Sequence, residues 1–161
     1  MFNAFLVVFT PLSLVFGLYH LFTWFNVFRI NERPHWKRVG LTAAAAHFLL
    51  VTGFLMFTWL DFHSNRTYSA LGVTYATFLL DRSQFWQLLA VFDTVPMLGI
   101  LAVFSIMDGL GMDGGVLIVT ILMTYGVGTL QWYYVGGGFG ALLQKIWDGL
   151  KTGEDGEEWF Q

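Results

Sequence analysis

The sequence predicts an all-α integral membrane protein: a four-helix transmembrane bundle with a short outer-loop helix and a C-terminal interfacial amphipathic helix. Three observations predict it. The 161 residues are 56% hydrophobic and 12% charged, with a mean hydropathy of +0.61. A soluble domain carries roughly 25% charged residues and about 45–50% apolar ones, and a chain this short cannot hide so much apolar surface in its own core. The few charges are clustered, and the uncharged runs between them are each long enough to cross a bilayer, which takes about 20 predominantly apolar residues.

Each span follows from these runs. Residues 2–28 hold no formal charge, residues 39–60 none, and residues 114–144 none, while residues 83–107 hold only Asp93. In lipid the backbone must satisfy its own hydrogen bonds, and runs this long do so as helices. The expected spans are 2–28, 39–60, 83–107 and 114–135, within a single domain over 1–150. The N-terminal run lacks a basic n-region and is too long for a signal-peptide core, so it is read as a retained span.

The connections differ in character. Loop 29–38 contains four of the eight basic residues and Pro34, which blocks a continuous helix. The positive-inside rule places this loop in the cytoplasm and both termini outside, and the expected membrane is a prokaryotic-type plasma membrane. The loop from Asp61 to Arg82 includes an apolar stretch over 67–80 that is too short to span and is expected to form the outer-loop helix. Gly136, Gly137 and Gly138 are expected to weaken the fourth span as it leaves the membrane; the Gly136 to Gly140 spacing reads as a flexible turn before it reads as a packing motif. Phe139, Leu142, Leu143, Ile146, Trp147 and Leu150 then recur at helical spacing, predicting an interfacial helix over 139–150. The tail over 151–161 is acidic and ends in Trp159 and Phe160, expected to dock on a partner. Trp24, Trp36, Trp59, Trp86 and Trp132 fall near the expected interfaces as belt anchors.

The buried polar groups carry the chemistry. Asp93 lies 11 residues after Arg82 and 15 before Asp108, which puts it near mid-membrane. A carboxylate there costs at least ~2.5–3.5 kcal/mol, so it must be paired, neutralised or wetted. Pro96, three residues on, is expected to kink the span. His20 is nine residues before Arg29 and His47 nine after Arg38, so an antiparallel hairpin places them at one depth, about 13 Å below the basic loop. Tyr125, 12 residues past Asp113, reaches a similar depth. Shared depth suggests a polar centre in which Asp93 accepts from a histidine or Tyr125. A separation above about 8 Å from all three would exclude that, since neither a direct nor a single-water bond spans it. His35 and His63 are expected in solvated loops.

Several function classes fall away. A net charge of −3 offers no basic field for nucleic acid, and the absence of cysteine removes disulfides, thiolate metal sites and cysteine nucleophiles. No phosphate-binding loop, HExxH, GxSxG or paired-carboxylate motif is present, so no catalytic residue and no metal ligand set is assigned, and the chain leans away from being an enzyme. The first expectation is a non-catalytic structural or accessory subunit of a larger membrane complex, or a homo-oligomer, with lipid and protein subunits as partners. The second is an oligomeric ion or proton channel or transporter using Asp93. The third is a haem- or pigment-binding electron-transfer subunit ligated by His20 and His47.

Overall fold

The computed structural model describes residues 4–81, 87, 93–109 and 115–154. All regular elements among them are helical: α1 (Ala4–Trp24), a 3-10 segment (Val27–Glu32), α2 (His35–Ser64), α3 (Arg66–Ala70), α4 (Tyr75–Leu80), α5 (Thr94–Gly109), α6 (Val116–Leu122), a π-helical turn (Met123–Gly128) and α7 (Thr129–Glu154). One helix, α2, is long and apolar enough to cross a membrane by length and composition, and α5 is a shorter apolar helix. The chain divides into two compact units, residues 1–46 with 132–161, and residues 47–131.

In the first unit α1 ends in a turn built on left-handed backbone. Asn26, Phe28 and Arg29 have φ of 48°, 55° and 52°, conformations that are unfavourable for residues with a Cβ. Side chains hold the turn. Asn26 Oδ1 accepts from Asn31 N at 3.1 Å, Asn31 Nδ2 donates to the Thr23 carbonyl at 2.9 Å, and Arg38 Nη2 donates to the Asn31 carbonyl at 2.8 Å. Ile30 is fully buried beneath. Pro34 then precedes α2, its carbonyl accepting from Lys37 N and Arg38 N. The basic segment expected as loop 29–38 is therefore loop only in part, because residues 35–38 are the first turn of α2. His35 accordingly is half-buried rather than solvated, with Nδ1 3.3 Å from the Gly140 carbonyl oxygen.

The start of α2 packs against α7 through small residues. A Cβ added at Gly136 would lie 2.5 Å from Ala43 Cβ, one at Gly140 2.9 Å from Val39 Cβ, and one at Gly40 2.6 Å from the Tyr133 carbonyl oxygen. His35 and Trp36 lie against Gly137 and Gly140, whereas Gly40 and Ala43 lie against Tyr133 and Gly136, so the two segments run antiparallel. This close approach overturns the expected weak point: α7 continues unbroken through Gly136, Gly137 and Gly138. The propensity cost of glycine in a helix, about 1 kcal/mol each, is outweighed by backbone proximity that no larger residue allows. The Gly136 to Gly140 spacing is thus a packing face and not a flexible turn. The expected interfacial helix 139–150 is the distal part of the same helix, with Phe139, Leu142, Leu143, Ile146, Trp147 and Leu150 exposed.

In the second unit the outer loop folds back onto the end of α2 as two short helices, α3 and α4, where one helix is expected. The Tyr75 hydroxyl lies 2.8 Å from Thr58 Oγ1 and 3.2 Å from the Leu55 carbonyl oxygen. Phe62, Tyr68 and Phe78 pack their rings 4.7–5.9 Å apart around it. Thr74 Oγ1 caps α4 by accepting from Thr77 N. The apolar centre of this unit is Leu79 and Ile100, both fully buried, with Phe54, Leu55, Met97, Phe104, Leu117 and Met123 against them. His63 falls inside α2, exposed, its Nδ1 donating to the Trp59 carbonyl at 2.9 Å.

Neighbouring glycines test the packing face. Gly136→Ala should destabilise the fold by about 1–3 kcal/mol through overpacking. Gly138→Ala, with nothing within 4 Å of the added Cβ, should stabilise it by up to about 1 kcal/mol. Thermal unfolding of both variants in detergent micelles checks the opposite signs.

Candidate functional site

The second unit encloses a polar centre in otherwise apolar surroundings. Asp93 directly precedes α5, and its carbonyl accepts the first helical hydrogen bond from Met97 N at 2.8 Å. Pro96 is buried in the first turn of α5, where a missing N–H leaves no intrahelical bond unmade; residues 88–92, on whose course the expected kink of the span depends, lie outside the described residues. At this position Asp commonly caps its own helix. Here the carboxylate turns away from that role, toward α2.

His47 meets it. Its Nε2 lies 2.9 Å from both Asp93 oxygens. The Asp93 side chain is 0% exposed and that of His47 3%. Only Oδ2 is aligned to accept a hydrogen bond; Oδ1 is buried and has no hydrogen-bond partner among the described residues. The other imidazole nitrogen, Nδ1, lies 3.2 Å from Thr129 Oγ1 in the first turn of α7. The ring is thus held between a carboxylate on one edge and a hydroxyl on the other, an arrangement that sets its orientation and links its tautomer to both partners.

Gly128 makes the arrangement possible. A Cβ there would lie 2.8 Å from His47 Cε1 and 2.9 Å from Asp93 Oδ1. The residue is buried and closes the π-helical turn immediately before Thr129. Single π turns inside α-helices recur at functional positions. Here the extra residue ends at the one position where only a hydrogen atom fits against the pair, and it presents Thr129 to the imidazole. A second hydroxyl contact lies nearby: Tyr125 OH is 2.9 Å from Thr52 Oγ1, which itself donates to the Phe48 carbonyl at 2.7 Å. Thr124 is buried and closes on its own helix, donating to the Thr120 carbonyl at 2.8 Å.

Of the four groups expected at one depth, the structure brings His47 and Asp93 into direct contact. Tyr125 is tied to Thr52. His20 is exposed in the first unit, with its ring edge-on to Phe16 and Tyr19 at 4.4 and 6.1 Å. Trp159 and Phe160 lie outside the described residues. Gly128 and Thr129 are the members that reading the sequence misses. Their signal is faint: a Gly-x-Gly-Thr run inside an uncharged span, three to four residues past Tyr125. No three His, Asp or Glu side chains gather as a metal site among the described residues. Both nitrogens of His47 are engaged, so an axial iron ligand would have to displace Asp93 or Thr129.

Compared with protein-family models, curated proteins and solved structures, the chain matches none.

Gly128→Ala should cost about 1–3 kcal/mol of stability, while Gly126→Ala, at an exposed position with nothing within 4 Å, should stay within about 0.5 kcal/mol of wild type. Chemical denaturation of the two variants in mixed micelles measures the contrast.

Proposed function

We propose that the protein is a four-span integral membrane protein in which the His47–Asp93 pair is the binding step of an ion pathway, as in a small channel or transporter. The observation that carries this reading is the pair itself: two ionisable side chains 2.9 Å apart and buried, with one carboxylate oxygen left without a hydrogen bond among the described residues. Ionisable groups inside membrane segments are costly and mark ion paths and proton relays. A purely structural pair would gain from saturating Oδ1, since an unsatisfied buried polar atom costs about 1–3 kcal/mol.

The membrane setting is supported by where the apolar surface lies. Phe9, Leu12 and Phe16 on α1, Phe48, Met56, Phe57 and Leu60 on α2, Leu98 and Ile106 on α5, and Ile118 and Leu122 on α6 are all more than two-fifths exposed. Soluble monomers rarely expose contiguous apolar patches of this kind. In this reading α1, α2, the apolar run that contains α5, and the run from α6 through the π turn into α7 are the four spans.

A second reading, an accessory subunit of a larger membrane complex, draws on the stripe from Phe139 to Leu150. Those side chains are 44–62% exposed and would suit a partner helix as well as an interface. A stable lone monomer in mild detergent, measured by native mass, would count against it. The haem reading gains no support from a His47 whose two nitrogens already have partners.

The ion pathway is tested in liposomes. Wild-type protein should pass at least one monovalent cation, whether proton or metal ion, down an imposed gradient, and Asp93→Asn should reduce that flux to the level of protein-free vesicles. Equal flux in wild type and variant would remove the pair from any pathway.

A further inference from the structure

Resting on the ion-pathway reading, we infer that the ion bound by this pair is a bare proton, to the exclusion of metal cations, and that the Thr129 hydroxyl is the port through which it reaches His47. Two features of the site exclude a metal cation. Among the described residues the free acceptor capacity beside His47 is one carboxylate oxygen, Asp93 Oδ1, whereas hard cations are held by about six oxygens. Gly128 closes one side of the volume as well, because even a Cβ there would lie 2.9 Å from that oxygen. A proton needs neither ligands nor volume.

The charge of the pair points the same way. With Asp93 ionised and His47 neutral, the site holds an unbalanced negative charge in a dry interior, which is expensive to maintain. One added proton makes the pair neutral overall, whether it is written as an ion pair or as a carboxylic acid beside a neutral ring. Among the described residues no other charged side chain contacts Asp93. The only other titratable group in residues 116–131 is Tyr125, which is bound to Thr52; α5 carries none before Asp108; and α2 carries none from His47 to Leu60.

Thr129 is the route. His47 and Asp93 are buried, while Thr129 is only partly so, and it touches the imidazole at the edge opposite the carboxylate. Its hydroxyl can either donate to Nδ1 or accept from it. In the proton-poor state Nε2–H donates to Asp93 and the hydroxyl donates to a bare Nδ1. A hydronium that reaches Thr129 then gives a proton to its Oγ as the hydroxyl hydrogen moves to Nδ1. The Oγ has gained one proton and lost one, and the ring carries the charge that balances Asp93. Passing Nε2–H to Asp93 Oδ2 completes the transfer across the ring. No electrons move, and the threonine returns to a neutral hydroxyl that now accepts from Nδ1–H.

The test uses full-length protein in liposomes carrying a pH-sensitive or a sodium- or potassium-sensitive dye, with ring-15N NMR of His47 in the same vesicles. Wild type should pass protons and neither sodium nor potassium, and should place a hydrogen on Nδ1 as the outside is acidified. Thr129→Val keeps the shape without the hydroxyl; it should lower proton flux by about ten-fold and leave Nδ1 bare at the same acidity. Thr129→Ser should behave as wild type in both measurements. Sodium or potassium flux that Asp93→Asn abolishes would overturn the proton assignment while leaving the ion pathway standing. Wild-type flux and Nδ1 protonation in Thr129→Val would overturn the port. Fluxes indifferent to Asp93→Asn would overturn the pathway, and the inference with it.

Discussion

A carboxylate and an imidazole withdrawn from water constrain everything packed around them. Each is costly alone, because a buried charge without a partner loses solvation that nothing replaces. Together, with Nε2 2.9 Å from both oxygens of Asp93, they are tolerable only while the geometry holds. Breaking one side of such a pair is far more harmful than replacing both with apolar groups. The local backbone is arranged accordingly. Asp93 stands just before α5 with its side chain reaching α2, and Pro96 sits in the first turn of the helix that begins immediately afterwards. The π turn ends on Gly128, where nothing larger than hydrogen clears the pair. Thr129 then supplies the contact that orients the far edge of the ring.

The first unit depends on a different constraint, the approach of two helix backbones. Gly40, Gly136 and Gly140 lie where a Cβ would strike the opposite helix. This face and the polar centre share an economy of side chains: glycine removes the obstacle in both. The difference lies in what fills the space, backbone in the first unit and a buried His–Asp pair in the second.

Much of this was legible in the sequence because charge is so scarce. Asp93 stands out as the one charge in a long apolar run, and His47 is found by its distance from the basic segment. Depth along a helix, however, carries no information about rotation around it. His20, Tyr125 and His47 are therefore equal candidates on paper, and only packing selects His47. Thr129 is invisible for another reason: a threonine in an apolar run has no distinctive signature, and the π turn before it alters the helical register from which its face would be counted. The start of α5 at Thr94 is hidden by continuous hydropathy across residues 83–107. The glycine run at 136–138 misleads in the opposite direction, since intrinsic propensity is a weak guide where close packing competes with it. The all-helical class follows from run lengths alone, whereas the folding of 61–80 into two short helices depends on Tyr75 and Thr58 finding each other across a turn.

The central claim is that the pair, as a pair, governs the second unit. A double-mutant cycle on unfolding free energy in mixed micelles tests it most directly. His47→Leu and Asp93→Leu should each cost about 3–5 kcal/mol, and the double variant should recover most of that loss, as expected when an uncompensated buried group is removed with its partner. Single variants as stable as wild type, or costs that simply add in the double variant, would contradict the account.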